Sequence, residues 1–228
     1  MLSGCNMKKL SYQAERELLC EVGKLLYDRG YAAANDGNIS LKVDADRLLM
    51  TPSGVSKGRM TPEMLLLTDP DGRVLEGDRH PTSEGKMHLA VYRSRSDVRA
   101  VVHAHPPVST AFAVCRRGLE TPYVAELVVG LGSVPCTPSF AMLSTEEVPE
   151  SILPYLSDHN ALLLANHGVL TWGGDLWEAF DRLETVEHTA KIVLNAQLLG
   201  NPAALTEEET ARLRSLQGMY RKLKEKTD

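Results

Sequence analysis

Cysteine is scarce in this sequence and poorly placed for cross-linking. Its four copies, Cys5, Cys20, Cys115 and Cys136, follow neither a disulfide framework nor a metal-ligand spacing, so they read as reduced thiols of a cytoplasmic protein. Basic charge is short as well: 25 Lys and Arg stand against 30 Asp and Glu, a net charge of −5. Nucleic-acid binders carry a basic face, so no nucleic-acid partner is expected; a small basic pocket for an anionic substrate stays open. No apolar run approaches the roughly 20 residues that span a bilayer, so no membrane partner is expected either. The opening "MLSGCNMKKL" imitates a lipoprotein cleavage site, but the charged and apolar segments of an export signal do not precede it. Translation is expected to begin naturally at Met7, with residues 1–10 loosely attached. Repeats, low-complexity tracts and linkers are missing too, which points to one domain over residues 1–228.

What is present is ordinary for a folded protein with a sizeable core: 43% hydrophobic and 24% charged residues. Residues 12–29 carry Ala14, Leu18, Leu19, Val22, Leu25 and Leu26 at helical spacing, with Gly30 as a stop. Two short strands follow at 38–43 and 47–51, then a polar loop at 52–59. A hairpin is expected over 63–77, turning at Asp69-Pro70-Asp71-Gly72. A helix is expected from about Ser83 to Arg93, capped by Thr82 or Ser83. Buried strands are expected at 98–105 and 161–166, and long helices at 175–198 and 206–226. The first of these helices starts at an Asp175 cap, where Trp172 and Trp177 should pack; the second opens on the capping-box string "TEEE". Helices and strands alternate throughout, which argues for one layered α/β domain.

The chemistry gathers around histidine. In "VVHAHPP" (101–107) His103 and His105 stand two apart at the end of a strand-like run, so on a strand both imidazoles face one way. His167, in "NHG" (166–168), follows a second apolar run. Both segments end where ligands usually bind in α/β folds, and three neutral imidazoles with a fourth position open or filled by a carboxylate are a catalytic zinc set. Two strand-end histidines bonded to backbone would give the same pattern. In "HPTSEGKMH" (80–88), Thr82, Ser83 and Glu84 fall at a helix N-terminus, where free N–H groups attract anions; plain helix capping is the competing explanation. "NDGNIS" (35–40) and "TPSGVSKG" (51–58) mix Gly with small donors as anion nests do, with Lys57 to add charge, and also fit simple tight turns. Neither matches a P-loop.

Taken in order, "NDGNIS", "TPSGV", "HPTSEGKMHLAVY", "AVVHAHP" and "ANHGV" resemble the class II aldolase/adducin family, most closely its L-fuculose-1-phosphate aldolase branch, over roughly residues 12–200. The resemblance implies a single three-layer α/β domain, a central, largely antiparallel sheet flanked by helices, and a homotetramer with active sites between subunits. It implies that His103, His105 and His167 bind one zinc per subunit, with Glu84 as fourth ligand at rest and as catalytic base. Histidine and carboxylate ligands would also accept manganese, cobalt or iron. Asn38, Ser53, Gly54, Thr82 and Ser83 match the family's phosphate pocket, and Tyr220 matches a tyrosine of the last helix that reaches the active site. The neighbouring-subunit tyrosine that exchanges a proton with the aldehyde oxygen falls at Val124, with Tyr123 beside it as the substitute.

These matches imply a zinc-dependent aldolase, a lyase of carbohydrate metabolism that acts on a small phosphorylated sugar. It would cleave a ketose 1-phosphate, such as L-fuculose 1-phosphate, into dihydroxyacetone phosphate and an aldehyde. Related activities remain as alternatives: the L-ribulose-5-phosphate 4-epimerase (which usually has Asp in place of Glu84), methylthioribulose-phosphate dehydratase and oxo-tetronate-phosphate decarboxylase. An adducin-like binding module without catalysis is the alternative of a different class.

Overall fold

The computed structural model describes residues 10–224; the expectation of a loose start before residue 10 falls outside them. Helix α1 (Gln13–Asp28) turns Leu19, Val22 and Leu26 inward, one stripe at three- and four-residue spacing. The chain then lays down β1 (Asn38–Asp44), β2 (Arg47–Met50), β3 (Leu66–Thr68) and β4 (Val74–Glu76) as successive antiparallel neighbours. The last turn forms as expected, with Asp69 Oδ1 accepting from the backbone N–H groups of Asp71 and Arg73, each at 2.9 Å.

After α2 (Gly85–Ser94), strand β5 (Ala100–Ala104) pairs with β1 on one side. On the other it pairs with β7 (Gly168–Gly173), which pairs in turn with β6 (Ala161–Leu164). The sheet has seven strands in the order β4-β3-β2-β1-β5-β7-β6, every pair antiparallel. Helices α3 (Pro107–Val114), α4 (Ala125–Gly130), α5 (Glu147–Ile152), α6 (Leu176–Leu199) and α7 (Glu207–Lys224) complete the domain.

Strand alternation divides the interior into two cores. Ala100, Val102, Ala104 and Val169 pack with residues of α1, α3, α4 and α6. Val101, Leu170 and Trp172 point to the other face and pack with Met87, Ala90 and Val91 of α2 and with Val148 and Ile152 of α5. The result is helices, sheet, helices. The strands β5, β6 and β7 are buried on both faces, which explains why β5 and β6 read as largely apolar runs. His103 shares the face of Val101 by the two-residue period.

Two expectations need correction. Trp172 belongs to β7 and is buried on the α2 side, so it does not pack the start of α6; Trp177 does sit there, edge-on to Phe180. Helix α2 begins at Gly85, with Glu84 at the cap position and no side-chain cap bond, so neither Thr82 nor Ser83 caps it. Both long C-terminal helices start as their caps require. Asp175 accepts from the Glu178 N–H at 2.7 Å, and Thr206 and Glu209 exchange bonds reciprocally.

Candidate active site

Three imidazoles converge at one end of the sheet. Their ligand nitrogens all lie within 4.8 Å of one another. His103, fully buried, donates from Nδ1 to the Val169 carbonyl at 2.9 Å, which leaves Nε2 bare. His105 turns Nδ1 toward the Asp36 carboxylate at 3.5 Å and Nε2 toward Nε2 of His103 at 3.1 Å. Two lone pairs facing each other that closely are unfavourable without a proton or a cation between them. Burial, reinforced by the neighbouring imidazoles, holds His103 well below the usual histidine range, and burial with His105 nearby lowers His167 to about 4. Neutral imidazole is the form that ligates metal.

Backbone geometry makes this convergence. His167 sits in the turn from β6 to β7, where Asn166 adopts a left-handed φ of 57°. A Cβ on Gly168 would lie 2.5 Å from Cδ2 of His105 and 2.6 Å from the Ala104 carbonyl, so only glycine lets the turn close on β5. Gly37, at φ 72°, likewise lies against the His103 carbonyl, where a Cβ would approach to 2.8 Å. Just beyond it, Asn38 stands opposite His103 in the β1–β5 register.

Glu84 supplies the fourth corner. Its Oε2 is 3.4 Å from Nε2 of His103 and its Oε1 is 3.2 Å from Nε2 of His167. Oε2 accepts a hydrogen bond from the Asn38 amide at 2.8 Å, whereas Oε1 is buried with no hydrogen-bond partner among the described residues. Burial raises the pKa of this carboxyl, partly offset by the Asn38 bond. Three neutral nitrogens and one orphaned carboxylate oxygen fit a divalent cation.

Beside these groups lies a cavity of about 180 Å³, lined by Asp36, Asn38, Ser53, Gly54, Thr82 and Ser83 among others, with Lys57, Glu84, His105 and His167. Its two hydroxyl-bearing loops are stitched together by the Ser53 N–H donating to the His80 carbonyl at 2.9 Å and by a bridge between Pro52 and Pro81. Lys57 is 2% exposed. Its Nζ donates to the carbonyls of Val55 (2.7 Å) and Asn35 (3.2 Å), tying both glycine loops together. No carboxylate among the described residues lies within ion-pair distance of it, and burial lowers its pKa to about 8.

Glu84, His105, His167 and all five residues expected at the phosphate therefore line one space, and His103 lies buried behind it, 3.4 Å from Glu84. Asn38 lines it with its amide already bonded at both ends, to Glu84 and to His88. Tyr123 does not line this cavity; it is half-buried ahead of α4, against the larger core. Tyr220 falls within α7, but its side chain lies outside the described residues. Sequence reasoning missed His88, which looks there like any helix residue, and gave Lys57 only an added charge. For Lys57 the signal was a lysine inside a Gly/Ser string; for His88 the histidine falls one helical turn after Glu84, on the same side of α2.

An antiparallel sheet between helix layers, with three histidines and a glutamate gathered beside a polar cavity, defines a layered α/β domain with a candidate metal site. The chain belongs to the class II aldolase and adducin family: the model of its N-terminal domain matches residues 17–194. Among relatives, the 3-oxo-tetronate 4-phosphate decarboxylase of Escherichia coli is 35% identical over 210 residues, 89% of this chain and 96% of the relative. The 5-deoxy-D-ribulose 1-phosphate aldolase of Bacillus thuringiensis is 34% identical over 88% of this chain and 94% of its own. A solved structure of L-fuculose 1-phosphate aldolase superposes with a TM-score of 0.83 at 30% identity, covering 90% of this chain and 97% of that one.

Proposed function

We propose that the protein is a metal-dependent lyase that cleaves a carbon–carbon bond beside the ketone of a phosphorylated sugar and releases dihydroxyacetone phosphate. Its preferred substrate in this reading is a ketose 1-phosphate of the L-fuculose 1-phosphate type, which yields an aldehyde as second product. The observation that carries the proposal is the convergence of His103, His105, His167 and the unpartnered Oε1 of Glu84 beside a cavity walled by Ser53, Gly54, Thr82 and Ser83. We place the enzyme in the cytoplasm as a homotetramer, with zinc as its metal.

His103, His105, His167 and Glu84 would hold the cation, which supplies positive charge for the electron pair left behind when the bond breaks. Ser53, Thr82, Ser83 and the Gly54 backbone bind the phosphate, so that binding energy fixes the reacting carbon against Glu84. Glu84, a ligand at rest, would swing off the cation and carry the proton between that carbon and solvent at Oε1. No lysine Schiff base is required.

The decarboxylase relatives support a second reading. Loss of carbon dioxide from a four-carbon 3-oxo acid 4-phosphate leaves the same three-carbon enediolate that ketose cleavage leaves, and protonation gives dihydroxyacetone phosphate in both cases. The two reactions differ only in the departing group, so the ion, the phosphate loops and Glu84 serve either.

The deciding experiment supplies zinc-loaded protein with L-fuculose 1-phosphate or with 3-oxo-tetronate 4-phosphate and couples dihydroxyacetone phosphate release to a dehydrogenase. Chelation abolishes release, and the aldehyde or carbon dioxide identifies the reaction. Glu84→Gln retains the fold and most of the metal while losing turnover; normal turnover there removes Glu84 as the base. His103→Ala lowers metal occupancy, and full zinc retention in that variant sinks the site.

A further inference from the structure

Behind Glu84, a row of polar side chains runs into the smaller core. The Asn38 amide nitrogen donates to Glu84 Oε2 (2.8 Å), and its carbonyl oxygen faces Nε2 of His88 at 2.5 Å. Nδ1 of His88 meets the Ser40 hydroxyl at 2.6 Å, and that hydroxyl meets the Tyr92 hydroxyl at 2.9 Å. His88 and Ser40 have no exposed surface. Asn38 and Ser40, neighbours on this face of β1, are thus engaged by α2 through positions 88 and 92 on consecutive turns.

With Glu84 ionised, as a metal ligand requires, donor counting allows one arrangement of protons from Asn38 to Ser40. A carboxylate only accepts, so the Asn38 NH2 must face Glu84 and the amide oxygen must face His88. That oxygen accepts, so the His88 proton is on Nε2 and Nδ1 is bare. Nδ1 then accepts from Ser40, whose oxygen accepts in turn from Tyr92. If His88 carried its proton on Nδ1, the amide would turn over and set its carbonyl oxygen against the Glu84 carboxylate, two acceptors in contact. A charged His88 would leave Ser40 with no acceptor for its proton there, and burial keeps the ring neutral, its pKa pushed down to about 3.

We propose that His88 is a positioning residue of this site: locked as the neutral Nε2–H tautomer by Ser40 and Tyr92, it fixes the Asn38 amide so that Glu84 is anchored through Oε2 and presents Oε1 to the metal. The inference rests on the reading that Glu84 and the three histidines hold a divalent ion. A row that merely satisfied buried polar groups would affect stability without acting through Glu84. Partners that orient metal ligands typically change affinity by about 10- to 100-fold when lost, so zinc affinity is the informative quantity and needs no substrate.

The experiment is chelator competition for zinc with the full-length protein. His88→Met removes the donor to Asn38 and weakens zinc binding by roughly 10- to 100-fold. His88→Gln keeps an amide N–H in the place of Nε2 and restores most of that affinity. In a Glu84→Ala background His88→Met has no further effect, because the row acts through the glutamate. Unchanged affinity in His88→Met, or an equal loss with Glu84 absent, overturns the proposal while leaving the metal site intact; a wild-type protein that takes up no zinc overturns both. Nitrogen-15 spectra of the native protein give a test that needs no variant to fold: the His88 proton is expected on Nε2, and a proton found on Nδ1 overturns the lock.

Discussion

A lysine with 2% of its surface exposed and no carboxylate among the described residues in contact is an unusual resident of any wall, and Lys57 occupies the wall of the cavity beside the histidines. Burying an unpaired charge is costly, and a substrate phosphate would supply the missing counter-charge. Charge-assisted bonds of this kind contribute about 1.5–3 kcal/mol, so Lys57→Met should raise KM for the phosphorylated substrate by at least about tenfold, with kcat less affected. Steady-state kinetics against Lys57→Gln, which keeps a donor for the loop carbonyls without the charge, separates the charge from the tether. The free protein carries a pH signature of the same burial. Folding lowers the Lys57 pKa from 10.5 to about 8, so between those values the unfolded chain binds the extra proton. The contribution of this residue to stability therefore rises as pH climbs from about 8 toward 10.5, and that increment should be missing from denaturant titrations of Lys57→Met.

Among the secondary-structure elements, α3 depends most visibly on help from elsewhere. It opens at Pro107 after Pro106, with no side-chain cap of its own. Its free N–H groups are met by Glu187, a fully buried carboxylate on α6: Val108 N–H donates at 3.2 Å, Ser109 N–H at 2.8 Å and the Ser109 hydroxyl at 2.8 Å. Removing the carboxylate orphans these donors at the positive end of the helix. Glu187→Ala should cost about 3 kcal/mol, a fall in melting temperature of roughly 6–12 °C for a chain of this size, read by thermal unfolding; a fall under about 2 °C would show that α3 holds itself. The borrowed cap also explains why α3 was not legible in the sequence, since a short helix behind two prolines with its cap some eighty residues away gives no local signal. Strand β7 is hidden differently, because Gly173-Gly174-Asp175 signals the start of α6 and Trp172 stands directly before that signal. Elements that carry their own signals were readable: the stripe of α1, the buried run of β5, the caps of α6 and α7. The same division applies to the site. The pair His103/His105 was legible from strand period alone, but its meeting with His167 and Glu84 depends on the β5–β7 register and on the close approach at Gly168, which no local pattern encodes.

At the scale of the whole molecule, no tyrosine among the described residues lines the cavity, and the proposed cleavage needs a group to take the hydroxyl proton of the departing aldehyde. Tyr123 stands away from that cavity, so in the proposed tetramer this residue would serve a neighbouring subunit. Subunits carrying Glu84→Gln and subunits carrying Tyr123→Phe, mixed and reassembled, should then show turnover above the mean of the two parents in the coupled assay, because some hybrid interfaces hold one intact site. Strictly averaged activity would mean that Tyr123 serves its own subunit or none. Chelation gives a complementary signal. An ion that binds only the folded chain stabilises it by mass action, so metal removal should lower the melting temperature of the wild type and leave His103→Ala nearly unmoved.

The opposition of Asn38 and His103 across two strands has a consequence for how this protein can vary by descent. Side chains alternate strictly along a strand, so a frame slip of one residue turns every one of them to the other face. A gained or lost codon between Tyr31 and Asn38 threatens to exchange Asn38 for Ile39 opposite His103, replacing an amide with an aliphatic group while every residue survives. The turn at Asp69–Gly72, which joins β3 to the short edge strand β4 on the side of the sheet away from β7, has no such meter to keep. Lineages of this protein should drift in length at the far edge of the sheet and stay fixed in length, more than in composition, ahead of β1.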